Sequence, residues 1–405
     1  MRFRRLSLVA AACLFTLSLA HPPAAEPDGG APSGFLARAD VFPVGVWLQD
    51  PANAPAYKAI GINFYAGLWD GPTERQLRDL KVAGMAVFAP QNDLARQSTY
   101  SDIIAGWIMP DEPDNAQQKD GGGFGPPVPP QEVVRLYQEM KARDPDRPVL
   151  LNLGQGVAWD AWHGRGTRTN HPEDYKTYVG GGDILSFDIY PFTHSDRSVR
   201  GRLDYVARGV DRLIRWSGGA KPVWSVIEAS GVSNPDLAPS GDDVRRLVWL
   251  SIIHGARGII YFVHQFRPYF IEASLLQNEA LSRDIAAINA RLQSLAPVLN
   301  SPDLDGAVAI ETDAATPGSV VAIARQDDCH IYIFAGSISR FPVPARIRLS
   351  LPVTDGPTEV LDEQRLVTVS EGGFSDHFDS YATHLYKVAR EGRNCTGEAR
   401  AAAGK

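Results

Sequence analysis

Several kinds of chemistry are missing from this 405-residue chain. It has only three cysteines, Cys13, Cys329 and Cys395, and none lies between residues 41 and 299. A cysteine nucleophile in that segment is therefore excluded. Nine histidines are scattered without an HExxH or comparable metal spacing. His163 and His171 flank a loop rich in Gly and Arg, a solvated setting rather than a metal-binding one. No GxSxG nucleophile elbow and no P-loop occurs. Val44-Gly45-Val46-Trp47, at the first strand-like run, is not a dinucleotide fingerprint. We expect no metal and no cofactor. Positive charge is also in short supply. Forty Lys and Arg face 47 Asp and Glu, for a net charge of −7. That balance argues against nucleic acid or an anionic membrane as partner.

What is present begins with a leader pattern. Arg2, Arg4 and Arg5 precede the apolar stretch 6–19, and Ser18-Leu19-Ala20 is a small-x-small cleavage site. Residues 1–20 are expected to be a signal peptide, and the protein to be exported to the periplasm or beyond. The apolar stretch is short for a membrane span. Ala10-Ala11-Ala12-Cys13 lacks the large apolar residue expected ahead of a lipidated cysteine, so no anchor at Cys13 is expected. Cleavage would take the net charge from −7 to −10. Residues 21–40, rich in Pro, Ala and Gly, read as a disordered leader. Cys329 and Cys395 either form a disulfide, as export favours, or stay as two thiols.

From 41 to 299 short apolar runs alternate with helical segments. The runs are 42–48, 62–68, 86–90, 103–109, 149–153, 184–189, 223–227 and 258–263. They are continuously apolar, as parallel strands covered on both faces should be. Helices are expected over 73–83, 131–143, 200–216, 242–254 and 278–299. Eight such units in this length predict a (β/α)8 TIM barrel, with a doubly wound open sheet as the alternative. After 299 the runs become short and alternating, separated by Gly, Pro, Asp and Ser. Residues 300–390 are expected to form an antiparallel β-sandwich, and 391–405 a flexible tail.

Two glutamates stand out on this framework. Glu112 follows the fourth run and Glu228 the seventh. The C-terminal ends of barrel strands share one mouth, so the two carboxylates converge there. A pair of carboxylates is the minimum equipment for glycoside hydrolysis. Each also has a bland alternative as a helix cap, stronger for Glu112 in Asp111-Glu112-Pro113 than for Glu228 in Glu228-Ala229-Ser230. The loop 114–130, without periodicity and rich in Gly and Pro, would lie beside Glu112 as a rim or as a mobile segment.

The layout resembles the clan-A retaining glycoside hydrolases, a superfamily that includes many cellulases, mannanases and β-galactosidases. The resemblance rests on GWIMPDEP around Glu112 and VWSVIEAS around Glu228. It implies that Glu112 is the acid/base and Glu228 the nucleophile of a double displacement. The chain departs from that pattern at Asp111, where the family usually has Asn. An added carboxylate there would raise the pKa of Glu112, which suits a general acid. The resemblance further suggests that Tyr190, after the sixth run, orients Glu228; otherwise it is a packed aromatic. Asp188 either points into the barrel or makes a structural hydrogen bond. Trp47, Gln91, Asn152, Trp69 and His264 complete the expected sugar-binding set, with Asp111, Asp188 and Tyr190. The predicted partner is a poly- or oligosaccharide. The competing expectation is a carbohydrate-binding or scaffold protein on a barrel that has lost catalysis.

Overall fold

Eight parallel strands close into a barrel in the computed structural model, which describes Gly34 and residues 36–393. The strands are β1 (Val44–Trp47), β2 (Phe64–Ala66), β3 (Ala86–Ala89), β4 (Ile104–Ile108), β5 (Val149–Leu153), β6 (Ile184–Asp188), β7 (Val223–Glu228) and β8 (Gly258–Phe262). Each pairs with its sequence neighbour, and β8 returns to β1. The open-sheet alternative is thereby excluded. The expected signal peptide with Cys13, most of the expected leader 21–40, and Cys395 with the other residues beyond 393 lie outside the described residues. Cys329 is disulfide-bonded.

The connecting helices are α1 (Ala54–Ala59), α2 (Glu74–Ala83), α3 (Asp93–Gln97), α4 (Pro130–Arg143), α5 (Tyr175–Tyr178), α6 (Asp204–Trp216), α7 (Gly241–Ile253), α8 (Ser274–Gln277), α9 (Glu279–Ser294) and α10 (Ala296–Leu299). Thr73 caps α2 and Ser240 caps α7, each in a capping box. The helix expected over 278–299 is split at Leu295, two residues before Pro297. Between β5 and β6 the one helical turn of α5 and several 3-10 turns replace a full helix.

The barrel interior is filled by Phe64, Phe88, Leu150, Trp224, Val226 and Ile260. Phe64, Phe88 and Trp224 meet with ring centroids 5.0–5.6 Å apart. Gly106 on β4 makes room for them. A Cβ there would come within 2.3 Å of the Phe88 ring and 2.6 Å of the Pro148 carbonyl.

The sandwich consists of a five-stranded sheet, β10-β11-β16-β13-β14, and a three-stranded sheet, β15-β12-β9. Its strands are β9 (Val308–Thr312), β10 (Val320–Gln326), β11 (His330–Ser337), β12 (Val343–Leu349), β13 (Gly356–Val360), β14 (Arg365–Val369), β15 (Gly373–Phe378) and β16 (Thr383–Ala389). Strand β11 is buried on both faces, which explains its apolar run. Ile331, Ile333 and Ala335 join the sandwich core, while the alternating Tyr332 and Phe334 join the barrel's outer core. Phe334 stacks on Trp249 of α7 at 5.7 Å and 11°. Arg325, fully buried, donates to Asp303 at 2.7 Å and to the carbonyl of Leu299. The Tyr381 hydroxyl donates to Asp204 at 2.7 Å.

Because the two layers share one core, they should melt together. Trp249→Ala is expected to cost about 3–5 kcal/mol and to lower a single calorimetric transition. Two separate transitions in the variant, one at the wild-type midpoint, would contradict a shared core.

Candidate active site

Strand parity decides which carboxylates face the barrel interior. On β6, Ile184 packs in the interior, so Ser186 and Asp188 point the same way. On β7, Trp224 and Val226 fill the interior, and Glu228 follows them inward at the C-terminal end. On β5, Leu150 does the same for Asn152. Glu112 arrives differently, from the loop after β4. Its backbone is left-handed, with φ 42°. Leu48 after β1 and Val232 after β7 are also left-handed, with φ 45° and 50°. Such conformations cost energy in non-glycine residues and collect at functional sites.

Glu112 is not a helix cap. The next helix, α4, starts at Pro130 with Pro129 before it. The Glu112 carboxyl instead contacts the carboxyl of Asp188, and Asp188 also takes a hydrogen bond from the Tyr190 hydroxyl. Burial pushes the Glu112 pKa well above the usual carboxylate range, and the charges of Asp188 and Asp111 push it further. Asp188 is also raised, by burial, although its bonds to Glu112 and Tyr190 oppose the shift. The other oxygen of Glu112 accepts from Asn115 Nδ2 at 2.7 Å, and Trp162 Nε1 donates to Asn115 Oδ1 at 2.9 Å. Gly154 opens the space, since a Cβ there would sit 2.9 Å from Glu112 Oε1. Asp111, exposed at the rim, accepts from Asn152 Nδ2 at 2.9 Å. Its pKa is pushed up to about 7, by the protein crowding the carboxyl and then by Asp188. The buried Asp114 holds the loop from below, taking bonds from the Gly154 amide at 2.8 Å and the Tyr175 hydroxyl at 2.6 Å.

Glu228 sits apart in chemical terms. It is fully buried. Oε1 accepts from the Phe192 amide at 2.6 Å, and Oε2 accepts from the Thr193 amide at 3.0 Å and its hydroxyl at 2.8 Å. Burial raises its pKa to about 7 against these three donors. No helix begins before Gly241, so Glu228 caps nothing. Tyr190 does not hold it, contrary to expectation. The β6–α6 loop carries the Tyr190 hydroxyl to Asp188, and the next two residues but one, Phe192 and Thr193, reach Glu228 instead.

The remaining expected residues divide into two groups. Asn152 belongs to the carboxylate cluster, and its Oδ1 also accepts from Ser186 at 2.8 Å. Trp47 and Gln91 line a cavity of about 360 Å³ on the β1–β4 side, with Leu68, Ile108 and Asp111. Gln91 Nε2 donates to the Met140 carbonyl at 3.0 Å, while its Oε1 is buried without a partner. Trp69 and His264 lie toward β8 and do not touch the carboxylates. Trp69 stacks on His264 at 5.6 Å, and His264 Nε2 donates to the Leu48 carbonyl at 2.8 Å. Burial lowers the His264 pKa, which keeps the ring neutral.

Sequence reasoning passed over Asn115, Trp162, Phe192 and Thr193. Asn115 lies in the Asp111–Asn115 run of polar residues, and Phe192-Thr193 directly follows the strand-end Tyr190-Pro191. Those positions were signals, but which side chain bends back to a carboxylate depends on loop conformation. The loop 114–130 forms a rim held at both ends. Ala116 donates to Gly164 at 2.8 Å, and Val128 donates to Pro113 at 2.9 Å. Among the described residues, no group of three or more His, Cys, Asp or Glu is placed to hold a metal ion.

The crowded carboxyls set a stability trend. A buried carboxyl whose folded pKa is raised favours folding while protonated, and that advantage is lost as pH rises from the unfolded value, about 4, through the folded one. Glu112→Gln imitates the protonated form. It should match the wild type in melting temperature near pH 4 and exceed it increasingly toward pH 8. A variant less stable than wild type at pH 8 would contradict the like-charge account.

No family model matches the chain, and no curated protein does. Among solved structures, the chain is similar to a family 30 endoxylanase from Clostridium papyrosolvens C71, with 12% identity and a TM-score of 0.45, covering 86% of this chain and 96% of that one. It is similar to the family 30 xylanase Xyn30A from Clostridium acetobutylicum, at 12% identity and a TM-score of 0.43, covering 86% and 95%. It is also similar to a noncanonic maltogenic alpha-amylase from Thermotoga neapolitana, at 8% identity and a TM-score of 0.47, covering 87% and 99%.

Proposed function

We propose that the protein is an exported glycoside hydrolase that cleaves an oligo- or polysaccharide by retaining double displacement. The observation that carries this reading is the carboxyl contact between Glu112 and Asp188 at the barrel mouth. Two carboxyls in contact keep a proton between them at neutral pH. A general acid needs that proton. Asp188, a hydrogen-bonding neighbour of Glu112, suits the role of proton holder better than that of second working carboxylate, which stands about 5–5.5 Å away for retention or about 6.5–9.5 Å for inversion. Glu228 is the remaining inward carboxylate at the mouth. Export rests on the basic, apolar and small-residue order of residues 2–20.

In the proposed reaction Glu112 donates its proton to the glycosidic oxygen as the C1–O bond breaks. A Glu228 oxygen attacks C1 and forms a glycosyl ester. Glu112, now ionised, takes a proton from water as that water attacks C1 and frees Glu228. Asp188 holds the Glu112 proton. For Glu228 to attack, one of its oxygens must leave the Phe192–Thr193 turn.

That last requirement favours a second reading, in which the barrel binds a glycan without cleaving it. Assays on a panel of aryl glycosides and polysaccharides separate the two. The enzyme reading predicts that Glu112→Gln and Glu228→Gln each lower kcat by at least about 100-fold, and that proton NMR shows the product anomer retained. A wild type as inert as both variants, while still binding glycan, would establish the second reading.

The pH profile offers an independent check. Activity requires ionised Glu228, so the acid limb should fall near pH 7, where its pKa is placed. Thr193→Val removes a donor that stabilises the carboxylate, raising the Glu228 pKa and moving the acid limb to higher pH. Asp188→Asn removes the charge that retains the Glu112 proton. The alkaline limb should move down by about one unit or more. Limbs that stay fixed in both variants would contradict these roles.

A further inference from the structure

The loop after β8 carries aromatic rings that the proposed chemistry does not use. Its tip, Phe266-Arg267-Pro268-Tyr269-Phe270, is pinned at the base by Gln265 and Ile271. Those two exchange backbone hydrogen bonds of 3.0 and 2.8 Å. Phe266, Tyr269 and Phe270 are 46%, 67% and 51% exposed, and Trp69 beside them is 41% exposed. A cluster of exposed rings on a braced loop marks a binding surface rather than ordinary surface scatter.

Trp69, Phe266 and Phe270 are fixed in place. Trp69 Nε1 donates to Glu272 Oε1 at 2.7 Å, and its face lies on His264. Phe270 meets Trp69 edge-on at 6.3 Å and Phe266 at 5.7 Å. The path then runs inward. Phe266 packs on Phe262 at 6.2 Å, and Phe262 packs on Tyr190 at 4.9 Å. The Tyr190 hydroxyl reaches Asp188, which contacts Glu112. The exposed rings are thus packed back onto the residues that surround the carboxylate pair.

Two features select the occupant. The chain is net acidic, and Arg267 is the lone cation of the tip, so an anionic lipid or nucleic acid is poorly matched. Exposed rings with a hydroxyl at Tyr269 suit a ligand with both apolar faces and hydroxyl edges, as a sugar chain has. The rings follow the C-terminal end of β8, on the same barrel mouth as the carboxylates, so a chain-like ligand that lies on them can extend to the bond-breaking site.

We propose that the 266–270 loop and Trp69 bind further units of a glycan whose scissile bond lies at Glu112, so that the substrate is a polymer rather than a small glycoside. This rests on the glycoside hydrolase reading and extends it to substrate class. The loop binds; it does not take part in bond cleavage.

The test separates binding from chemistry. Full-length Glu112→Gln protein is titrated calorimetrically with soluble xylan, glucomannan, mixed-linkage glucan and starch, and with phosphatidylcholine and phosphatidylglycerol vesicles. The same titrations are repeated with Tyr269→Ala/Phe270→Ala added. At least one polysaccharide is expected to bind, and the added substitutions to weaken it about tenfold, or about 1.4 kcal/mol. In the otherwise wild-type enzyme, the same pair should lower kcat/KM on that polymer about tenfold relative to its p-nitrophenyl glycoside. Equal affinity with and without the rings, or no affinity for any of the polysaccharides, overturns the inference. Vesicle binding abolished by the substitutions overturns it in favour of a lipid surface. Ring-dependent polymer binding by a protein that hydrolyses nothing would defeat the enzyme reading and leave the binding surface standing. Hydrolysis with ring-independent binding would defeat the surface alone.

Discussion

Two carboxyl groups in contact cannot both be ionised without a large repulsion, and the mouth of this barrel is organised around that fact. Unit charges about 4 Å apart repel by about 4 kcal/mol at an effective dielectric of 20. Glu112 and Asp188 avoid the cost by retaining a proton. Everything around them limits their freedom to separate. Asn115 and Trp162 fix one side of Glu112, Tyr190 fixes Asp188, and the left-handed backbone at Glu112 aims the side chain back at the barrel. The arrangement sacrifices stability for a carboxyl that is still protonated where free carboxyls are not.

The scaffold explains why such a cluster holds. Asp188 and Glu228 end strands whose preceding alternate residues are packed in the barrel core, so their inward direction is set by Ile184, Trp224 and Val226. Asp114 ties the Glu112 loop to Gly154 and Tyr175. The sandwich braces α7 through Trp249 and Phe334, on the flank that carries β7. Glu228 is held ready but covered, with a fixed turn over both oxygens. Glu112 is half-buried at the mouth, whereas Glu228 is fully buried.

Much of this was legible in the amino-acid order. All eight barrel strands appear as continuous apolar runs, because helices cover their outer faces and core fills the inner one. Most sandwich strands show alternation. Strand β15 is not legible in the sequence, because Gly373-Phe374-Ser375-Asp376-His377-Phe378 carries Gly, Ser and Asp, which ordinarily mark turns. Tertiary pairing with β12 overrides that composition. The positions of Asp188 and Glu228 at strand ends, and of Glu112 in the loop after β4, follow from topology and are legible too. Their partners are not. Whether Tyr190 turns to Asp188 or Glu228 is decided by a few dihedral angles in the 189–193 loop, and no periodicity encodes them. The aromatic tip at 266–270 was passed over for the same reason: ring exposure is a property of loop shape, not of residue type.

Asp188 helps to keep Glu112 protonated. This coupling is tested most directly by difference infrared titration of the carboxyl stretch, assigned to Glu112 by comparison with Glu112→Gln. The account predicts that Glu112 titrates well above the usual carboxylate range in the wild type and moves back toward it in Asp188→Asn. A Glu112 that titrates near 4.3, the ordinary glutamate value of about that size, or one indifferent to the loss of Asp188, would contradict it.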